Sequence, residues 1–192
     1  MSLFNADLED SNRQTPLSWA AKNGYTEVVK QLLGSGTDIT AGNNNGWTPL
    51  PLSSKRGDGA IVQLLLGHPT MSTNSIEATR RISLSIAAHA GHEGVVRLPL
   101  QTDKMDVNIR DKYGRTPLIC STRSTNLAVL QLLIDTGADI NAEDGRGLTA
   151  LQYAVFSFNL AAERLLVQHE ALVPQDFFGF QVLFNKSLDT TI

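Results

Sequence analysis

The sequence has few of the residues that build disulfide frameworks, membrane spans or secretion signals. Cys120 is the only cysteine among 192 residues, which excludes an internal disulfide and fits a reducing compartment. No segment approaches the roughly 20 consecutive apolar residues that span a bilayer. Residues 1–10 show neither the basic start nor the long apolar run of a signal peptide. We therefore expect no membrane association and a cytoplasmic or nuclear location.

Signatures of catalysis are also scarce. The sequence contains no glycine-rich phosphate loop, nucleophile elbow or paired-carboxylate motif. Its four histidines have no neighbouring cysteine or carboxylate cluster, so we expect no metal site and no cofactor. A net charge of −3 and a hydrophobic content of 42% indicate neither wholesale nucleic-acid binding nor disorder.

The sequence is rich instead in one repeated phrase. Its five copies start 33, 34, 34 and 33 residues apart, and they are Thr15-Pro16-Leu17, Thr48-Pro49-Leu50, Ile82-Ser83-Leu84, Thr116-Pro117-Leu118 and Thr149-Ala150-Leu151. Threonine caps a helix N-terminus, and proline is tolerated at the first helical position. In the first three copies a helix-ending glycine follows nine residues after the first residue of the phrase, and a second apolar run comes next. Each unit is predicted to be two short antiparallel helices plus an extended turn, in a stacked array.

Residues 10–173 resemble the ankyrin-repeat family. The resemblance lies in TPLSWAAKNGYTEVVKQLL at 15–33, in Gly137-Ala138-Asp139-Ile140-Asn141, and in Asp111-Lys112-Tyr113-Gly114-Arg115 before Thr116. It implies an all-α ankyrin-repeat solenoid of helix-turn-helix units with extended turns between repeats. The chain departs from the family where a histidine usually follows the phrase, and it has Ser18, Pro51, Ser85, Ile119 and Gln152 there.

We predict one domain, 1–192, with repeats at 10–42, 43–75, 76–110, 111–143 and 144–175, and a truncated sixth repeat at 176–192. Repeat 3 is the weakest, because it lacks the Thr-Pro cap and carries Pro99 inside its second helix, where proline costs about 3 kcal/mol. We expect the array to bend or fray there. Asp10, Asn43, Glu77, Asp111 and Asp144 recur at one position before each phrase and are interpreted as hydrogen-bonding turn residues.

The apolar C-terminal segment, Phe177 to Phe184, has two interpretations. It folds back to cap repeat 5, or it mediates self-association. The first interpretation assigns residues 176–192 the role of a C-terminal cap.

The resemblance also implies that five positions per repeat face a concave groove. These positions hold eight of the sixteen Lys and Arg residues and no acid. The predicted partner-binding residues are Trp47, Lys55, Arg56, Arg81, His89, Lys112, Tyr113, Arg115, Arg123, Arg146 and Phe156. Cations that merely solvate the helix faces would be mixed with acids. We therefore favour a non-catalytic protein-protein interaction scaffold that binds an acidic partner segment.

Two other functions use the same groove. Nucleic acid would bind cations in this arrangement, but a sequence pI of about 5.8 argues against it. A small enzyme would use the groove as a substrate pocket, with His89 as its acid–base residue. A closed cavity near His89 would favour the enzyme, and an open shallow groove would favour the scaffold.

Overall fold

The computed structural model describes residues 7–69, 74–101 and 106–172, without the side chains of 74–78. Within these ranges the chain forms ten α-helices and no strand. They are α1 (Pro16–Asn23), α2 (Thr26–Gly34), α3 (Pro49–Arg56), α4 (Gly59–Leu66), α5 (Asn74–Ala90), α6 (Glu93–Leu100), α7 (Pro117–Ser121), α8 (Leu127–Asp135), α9 (Ala150–Phe156) and α10 (Leu160–Gln168). In the described part of the chain, no helix has the length and apolar character needed to cross a bilayer.

The helices stack in two layers. The odd-numbered helices contact one another in series, the even-numbered helices do the same, and each pair packs internally. The leucine of the repeated phrase is buried in every copy, at Leu17, Leu50, Leu84, Leu118 and Leu151. The predicted all-α solenoid of helix pairs is confirmed.

The threonine caps form where a donor is available. Thr15, Thr116 and Thr149 each accept a hydrogen bond from the backbone N–H three residues later. Thr48 makes no such bond, and its buried Oγ1 has no partner among the described residues. The reason is Pro51, which occupies the third position after Thr48 and has no N–H to donate. Helix α3 tolerates Pro51 but loses its cap.

Repeat 3 departs from the predicted unit. Helix α5 begins two residues before the predicted repeat boundary and continues through the positions where an extended turn was expected. The prediction that Glu77 is a turn residue is therefore wrong. The sequence explains the difference, because Ser83 replaces the proline that would exclude helix from the preceding residue. Arg80 also replaces the glycine found two residues before the phrase in repeats 2, 4 and 5.

Pro99 lies inside α6, as predicted, and its side chain is buried. It borders a narrow cavity of about 10 Å³ whose wall includes Leu50, Val62 and Leu66. The equivalent residues of the other repeats are Leu32, Leu65, Leu133 and Leu166, and all four are buried. Pro99 thus interrupts a column of leucines and leaves the carbonyl of Val95 without its helical N–H partner.

Substitution Pro99→Leu is expected to stabilise the array. Leucine restores the backbone hydrogen bond and completes the apolar column, so we expect a gain of about 1–3 kcal/mol. The urea unfolding midpoint should rise at an unchanged slope. A lower midpoint would show that the site cannot hold the larger side chain.

Glu163 is a buried carboxylate in an apolar column. Its equivalents are Val29, Val62, Val96 and Leu130, whereas Glu163 is 5% exposed and its Oε2 has no partner among the described residues. Burial raises the pKa of Glu163, and the nearby Arg164 only partly offsets this effect. The folded protein therefore holds the proton of this side chain to a higher pH than an exposed glutamate would.

We expect Glu163→Leu to stabilise the fold by about 1–3 kcal/mol near neutral pH, because it removes an unpaired buried carboxylate. A raised folded-state pKa gives stability that is present below the unfolded pKa, about 4.3 for glutamate. That stability is lost as pH rises through the folded pKa. The advantage of the variant should therefore grow with pH in chemical denaturation between about pH 4 and 8.

Glu27→Leu is the matched control, since Glu27 is exposed on α2 and pairs there with Lys30. Its effect on stability should stay within about 0.5 kcal/mol. A Glu163→Leu advantage that does not change with pH would contradict the assignment of a raised pKa.

Candidate concave binding site

The edge of the array predicted to face the groove is built from turns that an aspartate or asparagine closes. We call it the concave edge. In repeats 1, 2, 4 and 5 the Oδ1 of this residue accepts two backbone N–H bonds of 2.8–3.0 Å from the residues two and four positions later. These residues are Asp10, Asn43, Asp111 and Asp144. The prediction that they are turn residues is confirmed.

Neighbouring turns are bonded to one another on either side of repeat 3. The N–H of Asn44 donates to the carbonyl of Asn12 at 2.9 Å, and that of Gly145 donates to the carbonyl of Tyr113 at 2.9 Å. The structure thus has two pairs of bonded turns. We call the pair in repeats 1 and 2 the first segment and the pair in repeats 4 and 5 the second segment. Arg81, predicted to follow a turn in repeat 3, is instead exposed within α5.

Trp47 lies on the first segment, and Lys55 and Arg56 lie in the last turn of α3. Trp47 is half-buried, and the Lys55 ammonium lies 5.2 Å from the centre of its indole ring. Arg56 is exposed at the end of α3 and covers Gly24, where an added Cβ would lie 2.4 Å from its Nε. Cation–π contact and this packing fix both cations along the edge of repeats 1 and 2.

The second segment carries a ring between two cations. Tyr113 is 57% exposed, with Lys112 Nζ at 5.0 Å and Arg115 Cζ at 4.8 Å from its ring centre. Arg115 is also held by Asp111, whose Oδ2 accepts from its Nε at 2.8 Å and its Nη2 at 2.7 Å. Asp111 thus neutralises one of the cations predicted to meet an acidic ligand.

A second carboxylate lies close to the same edge. Tyr153 donates its hydroxyl to Asp144 Oδ2 at 2.7 Å. Burial alone would raise the pKa of Asp144, but hydrogen bonds from Leu148, Tyr153 and Arg146 outweigh it and hold that pKa below its usual value. Asp144 is therefore ionised at neutral pH, and the edge is less purely cationic than the groove positions alone indicated.

The remaining predicted site residues are separate exposed side chains. Arg146 is exposed on the last turn, Arg123 is exposed just after α7, and Phe156 is 55% exposed at the end of α9. The structure thus places five of the predicted cations among the exposed residues, and they are Lys55, Arg56, Lys112, Arg123 and Arg146.

His89 is exposed in the last turn of α5. An open depression of about 470 Å³ borders His92 and not His89, and the 10 Å³ cavity beside Pro99 also lies elsewhere. His92 Nε2 lies 3.0 Å from the carbonyl oxygen of Lys55, so His92 links repeats 2 and 3. In residues 7–69, 74–101 and 106–172, no group of three or more potential ligands could hold a metal ion.

Cys120 is a core residue. It is 6% exposed, and burial raises the pKa of its thiol to about 11. Cys120 is therefore a packed core thiol, and its thiolate form is scarce at neutral pH.

The sequence interpretation missed Phe158 and Leu160. Both are exposed, at 80% and 51%, beside Phe156 in the α9–α10 turn. The sequence did carry a signal for Phe158, because this residue occupies in repeat 5 the position that holds Gly24, Gly57 and Gly91 in repeats 1–3. The other predicted site at this end, the cap formed by 176–192, lies outside the described residues.

Comparison with known proteins identifies the fold family. A family model described as ankyrin repeats (3 copies) matches residues 2–76, 55–144 and 84–176. The chain is 29% identical over 131 residues, 68% of its length, to the Caenorhabditis elegans Ankyrin repeat and KH domain-containing protein mask-1. It is 32% identical over 138 residues, 71% of its length, to an ankyrin repeat and KH domain-containing protein of Caenorhabditis briggsae. The chain spans only 5% and 4% of the lengths of those two proteins. The matches cover well over half of this sequence, and the chain belongs to the ankyrin-repeat family.

Proposed function

We propose that the array is a non-catalytic scaffold whose concave edge binds an acidic segment of another protein. Ankyrin repeats mediate protein–protein interaction, and stacked repeats offer extended concave surfaces for it. The observation that carries the finer proposal is the set of three exposed cations: Lys55 over Trp47 at the end of α3, and Lys112 and Arg146 on the bonded turns of repeats 4 and 5.

The aromatic residues supply the apolar part of this contact. Tyr113 presents more than half of its surface between two cations, and Trp47 is half-buried under Lys55. An aromatic ring flanked by cations suits a peptide that alternates apolar and acidic side chains. Arg115 contributes by holding the Tyr113 ring in place, since its own charge is paired with Asp111.

Charge reversal at Lys112 should weaken peptide binding. Probes are peptides selected from a random phage-displayed library on the intact chain and then synthesised. Lys112→Glu should lower their affinity about tenfold by repelling acidic side chains, as measured by calorimetry. Wild-type affinity should also fall as salt rises from about 50 to 500 mM, because exposed charges are screened.

Lys30→Glu is the control. It makes the same change of charge on α2, where Lys30 pairs with Glu27. It should leave affinity within about twofold of wild type. Binding that is insensitive to salt and to Lys112→Glu would contradict the proposal. Equal affinity for a single-stranded oligonucleotide would indicate a general phosphate site instead.

A further inference from the structure

Phe158 has a backbone conformation that disfavours its side chain. Its φ is +55°, in the left-handed region, and its equivalents in repeats 1–3 are glycines with φ of +77° to +85°. Glycine enters this region without steric cost, whereas other residues do not. In repeat 4 the equivalent residue is Thr125, and α7 ends earlier, at Ser121. Repeat 5 instead keeps α9 to Phe156 and places phenylalanine in the strained position.

Packing does not offset that strain. Phe158 is 80% exposed, Phe156 is 55% exposed and Leu160 is 51% exposed, so one turn presents three apolar side chains to solvent. A soluble monomer gains nothing from exposing a strained phenylalanine, while clustered exposed apolar groups mark interaction surfaces. We call Phe156, Phe158 and Leu160 the repeat 5 patch.

Asn159 fixes the position of the patch relative to repeat 4. Its Nδ2 donates to the carbonyls of Thr122 at 2.9 Å and Ser124 at 3.1 Å, and its Oδ1 accepts from the N–H of Ala162 at 3.2 Å. These bonds hold residues 122–124 against the turn, so the backbone of exposed Arg123 lies next to it.

A second cation lies on the same helix as Leu160. Arg164 is exposed one helical turn after Leu160 on α10, and residues spaced by four share a helix face. The patch thus has two exposed arginines in its neighbourhood, Arg123 through the Asn159 bonds and Arg164 on the helix face of Leu160. The adjacent Glu163 carboxylate is buried and interacts electrostatically with Arg164.

We propose that the repeat 5 patch is the apolar anchor site for an acidic partner segment with a large apolar side chain. The apolar side chain packs on Phe158, and flanking carboxylates pair with Arg123 and Arg164. Charge complementarity selects this occupant over an uncharged apolar surface. The proposal rests on the proposed scaffold function, and it adds Phe158, Leu160 and Arg164, which the groove positions did not include.

The test separates the role of Phe158 in binding from its role in folding. Peptides are selected from a random phage-displayed library on the intact chain, and the strongest binders are synthesised. We expect a consensus with a large apolar residue close to Asp or Glu. Phe158→Gly should lower their affinity at least about tenfold. Its unfolding midpoint should equal or exceed that of wild type, because glycine relieves the strain.

Arg13→Gly is the matched control. Arg13 has φ of +58°, so the substitution relieves the same kind of strain in repeat 1, away from the patch. It should leave peptide affinity within about twofold of wild type. Leu160→Gln serves as a second patch variant if Phe158→Gly fails to fold, and it should also weaken binding.

The outcomes distinguish this site from the concave edge. Binding that is lost in Phe158→Gly and kept in Lys112→Glu supports the patch and contradicts the proposed function of the edge. Binding that is lost in Lys112→Glu and kept in the two patch variants overturns the patch alone. Selected peptides without acidic residues overturn it as well. It is also overturned if sedimentation shows wild-type dimers that Phe158→Gly converts to monomers, or if a peptide of residues 173–192 occupies the site.

Discussion

Burial of each helix pair against the next is the interaction on which the rest of this structure depends. A pair of short helices cannot cover its own apolar face, so each repeat is stabilised by its neighbours. Leu17, Leu84 and Leu151 are buried because repeats stack on both layers. The same stacking brings successive turns within hydrogen-bonding distance, as at Asn44 and Gly145. The binding edge is thus a consequence of core packing and not a separate element.

Much of the fold was predictable from short-range chemistry. Thr-Pro-Leu located the first helix of three repeats, and Thr149-Ala150-Leu151 located that of repeat 5, because capping and proline geometry are local effects. The prediction failed in repeat 3, because it followed the repeat period although the glycine and proline that end helices were missing there. With Arg80 in place of the turn glycine and Ser83 in place of the proline, nothing stops α5 from extending towards its N-terminus. The burial of Glu163 could not be predicted either, since it depends on which column of the stack a residue enters.

The candidate site was predictable as a set of positions but not as a set of contacts. Sequence offsets brought Lys112, Tyr113 and Arg115 to one edge, yet only the structure shows that Asp111 neutralises Arg115. That pairing depends on side-chain conformation in a turn, which a repeat pattern does not encode. Phe158 was missed for a different reason. A comparison of recurring positions does not draw attention to a residue that departs from the repeat pattern. Phe158 is such a residue, and it combines backbone strain with exposure.

We assign binding to the concave edge and the end of repeat 5, and α2 and α4 are left free. Chemical-shift mapping of the ¹⁵N-labelled chain with a selected peptide tests this division most directly. We expect the largest shifts on Lys55, Lys112, Tyr113, Arg146 and Phe158, with α2 and α4 unperturbed. Shifts concentrated on the exposed faces of α2 and α4 would contradict it.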